Sequence, residues 1–192
     1  MLKKTKKFAL NFKILRFIII PAILVPSSFF VNIQEAKSGL EFQWDQDSGH
    51  RRLKWFQKDN RVRFRNKIYF FFRPSDRKED LLKINLSIPK TFKSNLKKEN
   101  ISFCKVKIGG FDSRTKCLEK IPADIEIITD ESSLRSINIY PYSPIPSNKE
   151  SYAIVMKVFN PTKSGLFQFH SFGQPKGVSV SSYLGSWTIV ID

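Results

Sequence analysis

Residues 81–89 read Leu-Leu-Lys-Ile-Asn-Leu-Ser-Ile-Pro, and this stretch decides the fold class. Leu82, Ile84, Leu86 and Ile88 alternate with Lys83, Asn85 and Ser87. A period of two buries one face of an extended strand and wets the other. Pro89 has no N–H for a ladder and ends the strand. The same period recurs downstream. Cys104, Val106 and Ile108 alternate with Lys105 and Lys107, which predicts a strand that turns its cysteine to the core. Ile125 and Ile127 alternate with Asp124 and Glu126, and Phe167 and Phe169 with Gln168 and His170. Trp187, Ile189 and Ile191 share one face of the last strand. Residues 152–159, YAIVMKVF, are apolar on both faces apart from Lys157, the pattern of a central strand.

Turn chemistry separates these segments. Asn160–Gly165 is a turn, and the polar, proline-containing stretch 141–150 is a loop between strands. Helical signals are brief: one turn capped at Ser75-Asp76, another within Lys90–Leu96. About nine or ten short strands without a long amphipathic helix predict an all-β fold, an immunoglobulin-like β-sandwich with a barrel as second choice and a few single-turn helices.

The first residues read as an address. Lys3, Lys4, Lys6, Lys7, Lys13 and Arg16 precede the apolar run 17–25, which Pro26-Ser27-Ser28 interrupts and Phe29-Phe30-Val31 closes. Ala36 and Ser38 stand at −3 and −1 of a cut before Gly39. A basic segment, a short apolar segment and a small-x-small site make a secretory signal over 1–38. A spanning helix needs about 20 apolar residues. An uncleaved anchor or a buried helix are the other readings, and membrane anchoring follows only if the segment is retained. The mature part, 39–192, is expected to be a single domain. The chain of 192 residues carries 33 Lys+Arg against 17 Asp+Glu, a net charge of +16. Removal of 1–38 leaves 26 bases against 16 acids, net +10.

An exported chain meets oxidising conditions, so Cys104 and Cys117 read as a disulfide rather than as free thiols or a metal pair. Gly109-Gly110 and Asp112-Ser113 supply the turn between them.

Basic residues are densest in HRRLKWFQKDNRVRFRNK, residues 50–67. Lys58-Asp59-Asn60 predicts a tight turn between strands 51–57 and 61–65, and Asn66-Lys67 a second turn before 68–73. In such a strand Arg61, Arg63 and Arg65 share one face, about 7 Å apart. Arginine gives bidentate contacts to phosphate, sulfate and carboxylate. Arg51, Arg52, Lys54, Arg61, Arg63, Arg65 and Lys67 are therefore the anion-binding candidates. The other reading is a solvated edge hairpin, whose charge prevents edge-to-edge aggregation. Nucleic acid is not the expected partner of an exported chain.

Catalytic signals are missing from the sequence. No Gly-x-Ser-x-Gly elbow occurs, and nothing places two of Asp112, Glu119 and Asp124 in one cleft. His50 and His170 are lone, and DQDSGH (45–50) lacks the ligand count and closing Glu of a calcium loop. No metal and no cofactor are expected. Trp44, Trp55, Phe56 and the run Tyr69–Phe72 read as core, unless some face solvent as a sugar-stacking platform.

RRLKWFQ (51–57), YFFFRPSDRK (69–78), GGFDSRTKC (109–117), PIPSNKESYAIVMKVFNP (144–161), GLFQF (165–169) and YLGSW (183–187) resemble a set of exported cyanobacterial proteins, domain-of-unknown-function family 2808. The resemblance covers nearly the whole mature chain. It implies a small secreted or envelope-localised domain and brings no catalytic residue or cofactor. The expected function is a non-catalytic binding module of the cell envelope, located in the periplasm or envelope, with thylakoid lumen or the exterior as further locations. Its basic hairpins would contact an anionic lipid headgroup or acidic polysaccharide. A structural protein with an envelope protein as partner is the alternative, and a polysaccharide hydrolase a third.

Overall fold

Outside residues 61–64, each segment of period two forms a strand. The structure, a computed structural model, describes residues 51–110 and 113–192, all within one compact unit, Phe42–Asp192. The expected signal segment 1–38, His50 with its DQDSGH stretch, Trp44 and Asp112 lie outside the described residues. Ten strands follow in chain order: β1 Trp55–Gln57, β2 Arg65–Phe72, β3 Leu81–Ile88, β4 Ile101–Lys107, β5 Lys116–Lys120, β6 Ala123–Thr129, β7 Arg135–Pro141, β8 Tyr152–Phe159, β9 Gly165–Pro175 and β10 Ser182–Ile191. Among the described residues no helix is long and apolar enough to cross a membrane.

The strands form two open five-stranded sheets, ordered β1-β2-β8-β4-β5 and β10-β9-β3-β7-β6. The architecture is therefore the expected all-β sandwich and not the barrel. YAIVMKVF is the central strand of the first sheet, as its two apolar faces require. Ile68, Phe70 and Phe72 point inward from β2, and Trp187, Ile189 and Ile191 meet them from β10. The Phe70 ring lies 4.9 Å, centroid to centroid, from both Phe169 and Trp187. Phe72 meets Trp187 edge-on at 5.2 Å, and Phe92 meets Phe169 at 5.0 Å. Tilted and edge-on contacts suit the ring quadrupoles. The Trp187 indole N–H donates to the Lys54 carbonyl at 3.0 Å, so its one polar atom is satisfied in the core.

Gly185 lets the chain change sheets ahead of β1. Ser186 donates to the Arg51 carbonyl at 2.7 Å, and Leu53 donates to the Ser186 carbonyl at 2.8 Å. Residues 51–53 thus run parallel to β10 before β1 joins β2. A Cβ on Gly185 would stand 2.7 Å from the Arg51 carbonyl oxygen, and its φ of +146° disfavours any side chain.

Four local expectations are corrected. Leu82 faces solvent and Leu81 takes the core place, because Leu82 is the extra residue of a bulge: Leu81 pairs with Pro175, and Lys83 with Gln174. Cys104 and Val106 point away from the main core. Ile101 and Phe103 occupy its inner face instead, and Cys104 joins Tyr69, Phe71, Val106, Ala153 and Val155 in a second cluster on the outer face of the sheet. Both faces of this sheet bury apolar groups, so alternation alone did not identify the inner one. The second single-turn helix forms at Lys98–Asn100 and not within Lys90–Leu96, where Phe92 N–H closes a turn onto the Pro89 carbonyl. The first, Pro74–Asp76, is entered from Arg73, with the Asp76 carboxylate accepting the Arg73 N–H at 2.8 Å. Residues 61–64 form a turn rather than a strand, and Asn66-Lys67 lies inside β2.

Cys104 and Cys117 are bonded, with Cα atoms 5.6 Å apart. A bulge at Leu118 sets Cys117 opposite Val106, on the same face as Cys104. A loop of this length stabilises the fold by about 3 kcal/mol on the chain-entropy model. Phe70 is fully buried between the sheets, whereas Phe56 is 41% exposed. Phe70→Ala is expected to lower the unfolding free energy by about 3–5 kcal/mol in denaturant titration, and Phe56→Ala by much less. Equal losses would show that the aromatic file does not hold the sheets together.

Candidate functional site

Two asparagines build the site's frame. Asn66 on β2 and Asn160, just past β8, are both buried. The Asn66 carboxamide N–H donates to the Asn160 side-chain oxygen at 2.9 Å. The Asn66 oxygen accepts the N–H groups of Lys58 and Asp59 at 3.2 and 3.1 Å. Asn160 in turn donates to the carbonyls of Asp59 and Arg61 at 3.2 and 2.8 Å. These bonds satisfy backbone groups that an extended strand would have paired. Arg63 at φ +61° completes the departure from strand geometry. The Val62 and Arg63 N–H groups donate to the carbonyls of Asp192 and Pro161 at 2.8 and 3.1 Å. The 58–64 loop is thereby bound to the ends of β8 and β10.

Beside this frame lies a cleft of about 640 Å³. Five cations line it: Lys58, Arg65, Lys67, Lys97 and Lys157. Asn66, Asn95 and Asn100 supply amides, and Val158 and Phe159 apolar surface. The cleft lining contains no carboxylate, serine or histidine. Register explains the charge density. Lys67 on β2 stands directly opposite Lys157 on β8, and Arg65 opposite Phe159. Like charges directly opposite across strands destabilise a sheet. Lys67 Nζ sits 4.9 Å from the Tyr69 ring centre and the Arg65 guanidinium 5.5 Å from that of Phe159. Among the described residues neither cation has a carboxylate partner.

The candidates read from the sequence divide among several places. Arg65 and Lys67 enter the cleft. Arg61 and Arg63 lie on the loop and share no strand face with Arg65, which corrects the expected arginine stripe. Arg61 is also neutralised: its guanidinium donates to Asp59 at 2.6 and 3.1 Å and lies 3.7 Å over the Phe64 ring centre. Arg51 lies 3.6 Å from the buried Asp76 and donates to the Ser75 carbonyl, a structural role. Arg52 and Lys54 line a separate groove of about 620 Å³ with Phe56, Phe71, Arg73 and Ile108. Cys104 and Cys117 form the bridge described above. Sequence proximity did not reveal Lys97 and Lys157; the lone Lys157 in an otherwise apolar strand was the one available sign.

Other chemistry is sparse. Among the described residues no three His, Cys, Asp or Glu side chains come together where they would hold a metal ion. His170 Nδ1 lies 2.7 Å from Ser186 Oγ, and the Tyr183 hydroxyl 2.5 Å from the same oxygen. Ser186 is buried within β10, and its N–H already donates to Arg51, so that N–H does not serve an oxyanion. Of the expected aromatics, Trp55 packs against the core and Phe56 is exposed.

Residues 46–191 match the model of a protein family described as a protein of unknown function, DUF2808. The chain belongs to the DUF2808 family. No curated protein matches this DUF2808 chain in sequence. Among solved structures it is similar to a bacterial hydrophobin, BslA, at 8% identity and a TM-score of 0.44, over 74% of this chain and 95% of that one. The collagen-binding domain of a Staphylococcus aureus adhesin is similar at 13% identity and a TM-score of 0.38, over 71% and 95% of the two chains. The collagen-binding subdomain of the Enterococcus faecalis surface protein ACE is similar at 11% identity and a TM-score of 0.38, again over 71% and 95%.

Hydrogen bonds from Arg61 hold the Asp59 carboxyl below its ordinary 3.8, at about 2. The folded-state value is depressed, so this contribution to loop order is present above the ordinary carboxylate range. It is lost as pH falls from about 4 to about 2. Carbon NMR of the Asp59 carboxyl should find a midpoint near 2, rising toward 3.8 in Arg61→Gln. A midpoint indifferent to that substitution would dissociate the pair.

Proposed function

We propose that this chain is an exported, non-catalytic binding module of the cell envelope that holds anionic groups in the Lys58–Arg65–Lys67–Lys97–Lys157 cleft. One observation carries the reading: Lys67 and Lys157 are held face to face by β-sheet register, in a lining without a carboxylate. A cross-strand lysine pair costs stability unless a counter-charge sits over it. Phosphate, sulfate or carboxylate groups supply that charge and accept the amide donors of Asn95 and Asn100. The cleft lining holds no carboxylate, serine, cysteine or histidine to act on a bound substrate, which supports binding over catalysis. The disulfide supports an oxidising compartment. It agrees with the signal-like reading of residues 1–38.

The test is a paired measurement of stability and binding, with dextran sulfate as the probe. In the double variant Lys67→Gln/Lys157→Gln, relief of repulsion is expected to raise the ligand-free unfolding free energy by about 0.2–1 kcal/mol. The same variant should lose much of the increase in Tm that the polyanion gives the unaltered chain, and its binding should weaken less steeply with salt. A double variant that binds the polyanion as the unaltered chain does would refute the cleft.

A further inference from the structure

We propose that the anionic partner is a phospholipid bilayer, and that Phe64 and Phe159 enter its surface while the cations around them hold the headgroups. This rests on the anion reading of the cleft and gives it a direction. Both rings lie at the end of the sandwich where β2 and β9 begin and β8 and β10 finish. The two backbones are joined there, since Asn160 N–H donates to the Phe64 carbonyl at 2.9 Å. Phe64 is 49% exposed and Phe159 56% exposed. At the same end, Leu166 at the start of β9 is 71% exposed. Large apolar side chains at one tip, collared by cations, match the partition of amphipathic surfaces into an anionic membrane interface.

The way the rings are covered selects a bilayer over an acidic polysaccharide. The Arg61 guanidinium lies 3.7 Å over the centre of Phe64, and that of Arg65 lies 5.5 Å from the centre of Phe159. A sugar stacks on an open aromatic face, and here a guanidinium already takes one face of each ring. The exposed remainder of each ring is apolar surface for acyl chains. The Arg61 fork is engaged by Asp59, whereas the Arg65 guanidinium beside Phe159 keeps its N–H groups free at the level of the phosphates, where bidentate contacts form. The loop that presents Phe64 is pre-ordered by Asn66 and Asn160, so docking requires no folding of the tip. Among the described residues neither Arg63 nor Arg65 is paired with a carboxylate, so both guanidinium groups are open to phosphate.

The experiment reads the tip itself. No free cysteine is present among the described residues, so a single new thiol takes an environment-sensitive fluorophore. Phe64→Cys and Phe159→Cys report on the tip, and Val180→Cys, 70% exposed before β10, is the distant control. All are made in the full chain. With vesicles of phosphatidylcholine and one-third phosphatidylglycerol, emission at 64 and 159 should rise and be quenched by brominated acyl chains, with no change at 180. Pure phosphatidylcholine should give no response. Adding Arg65→Glu and Lys157→Glu to each labelled chain should raise the lipid needed for half response by about tenfold or more. Three outcomes overturn the proposal. A response at 180 equal to that at the tip would mean that another surface docks. Dextran sulfate binding without any tip response to vesicles would leave the anion cleft standing and remove the bilayer. No binding to either probe would remove both.

Discussion

Contact of Phe70 with Trp187 and Phe169 fixes the face that every residue of β2 presents. With Phe70 between the sheets, Ile68 and Phe72 must also point inward. Arg65, Lys67, Tyr69 and Phe71 must then point outward, since a strand alternates with a period of two. The antiparallel register with β8 carries the constraint across: Phe70 faces Ile154, so Lys67 faces Lys157. A one-residue slip of β2 would turn Lys67 and Arg65 into the aromatic core. The charged cleft is thus a consequence of how the hydrophobic core is registered, and it inherits that core's rigidity.

The Asn66–Asn160 pair converts this rigid edge into a site. A buried carboxamide must find partners for its donors and acceptor, and here the partners are loop backbone groups. Asn66 and Asn160 between them engage Lys58, Asp59 and Arg61. The loop beside the cleft is therefore an extension of the sheet's hydrogen bonding, made through side chains. The Asp59–Arg61 pair on that loop is exposed, so it orders local geometry more than it stabilises the domain. Its main effect on the site is to remove Arg61 from the free cations, leaving Arg63 and Arg65 without a carboxylate partner among the described residues.

Much of the fold was legible because most strands are wet on one face. Ile84, Leu86 and Ile88, or Phe167 and Phe169, announce their inner side by alternation alone. Legibility fails where both faces are apolar: alternation in β4 points Cys104 inward, and the structure turns it to the outer face. Legibility also fails at the Leu82 bulge, where one extra residue reverses the alternation. The candidate site was legible only in part, for a different reason. Val62 and Phe64 between three arginines imitate a half-buried strand. What prevents one is a pair of asparagines, and Asn160 is nearly a hundred residues away from Asn66. Lys97 and Lys157 belong to the cleft through topology, which neighbouring positions in the sequence do not encode.

Facing lysines are informative because sheets ordinarily avoid them. A bare cation on a strand is unremarkable, since solvent and mobile ions screen it. Two of them held opposite each other, with Arg65 two pairs along and Lys58 and Lys97 in the same lining, concentrate a field that solvent screens less well within a concave surface. Moving any one cation to another position would relieve the repulsion without disturbing the core, since their side chains face outward or lie on loops. The stability of the isolated domain therefore gives no reason for the arrangement. The proposed anion would supply one, because it would turn the repulsion into attraction at the same positions. The disulfide and the interlocked aromatic core supply the reserve that lets a small sandwich hold such a field.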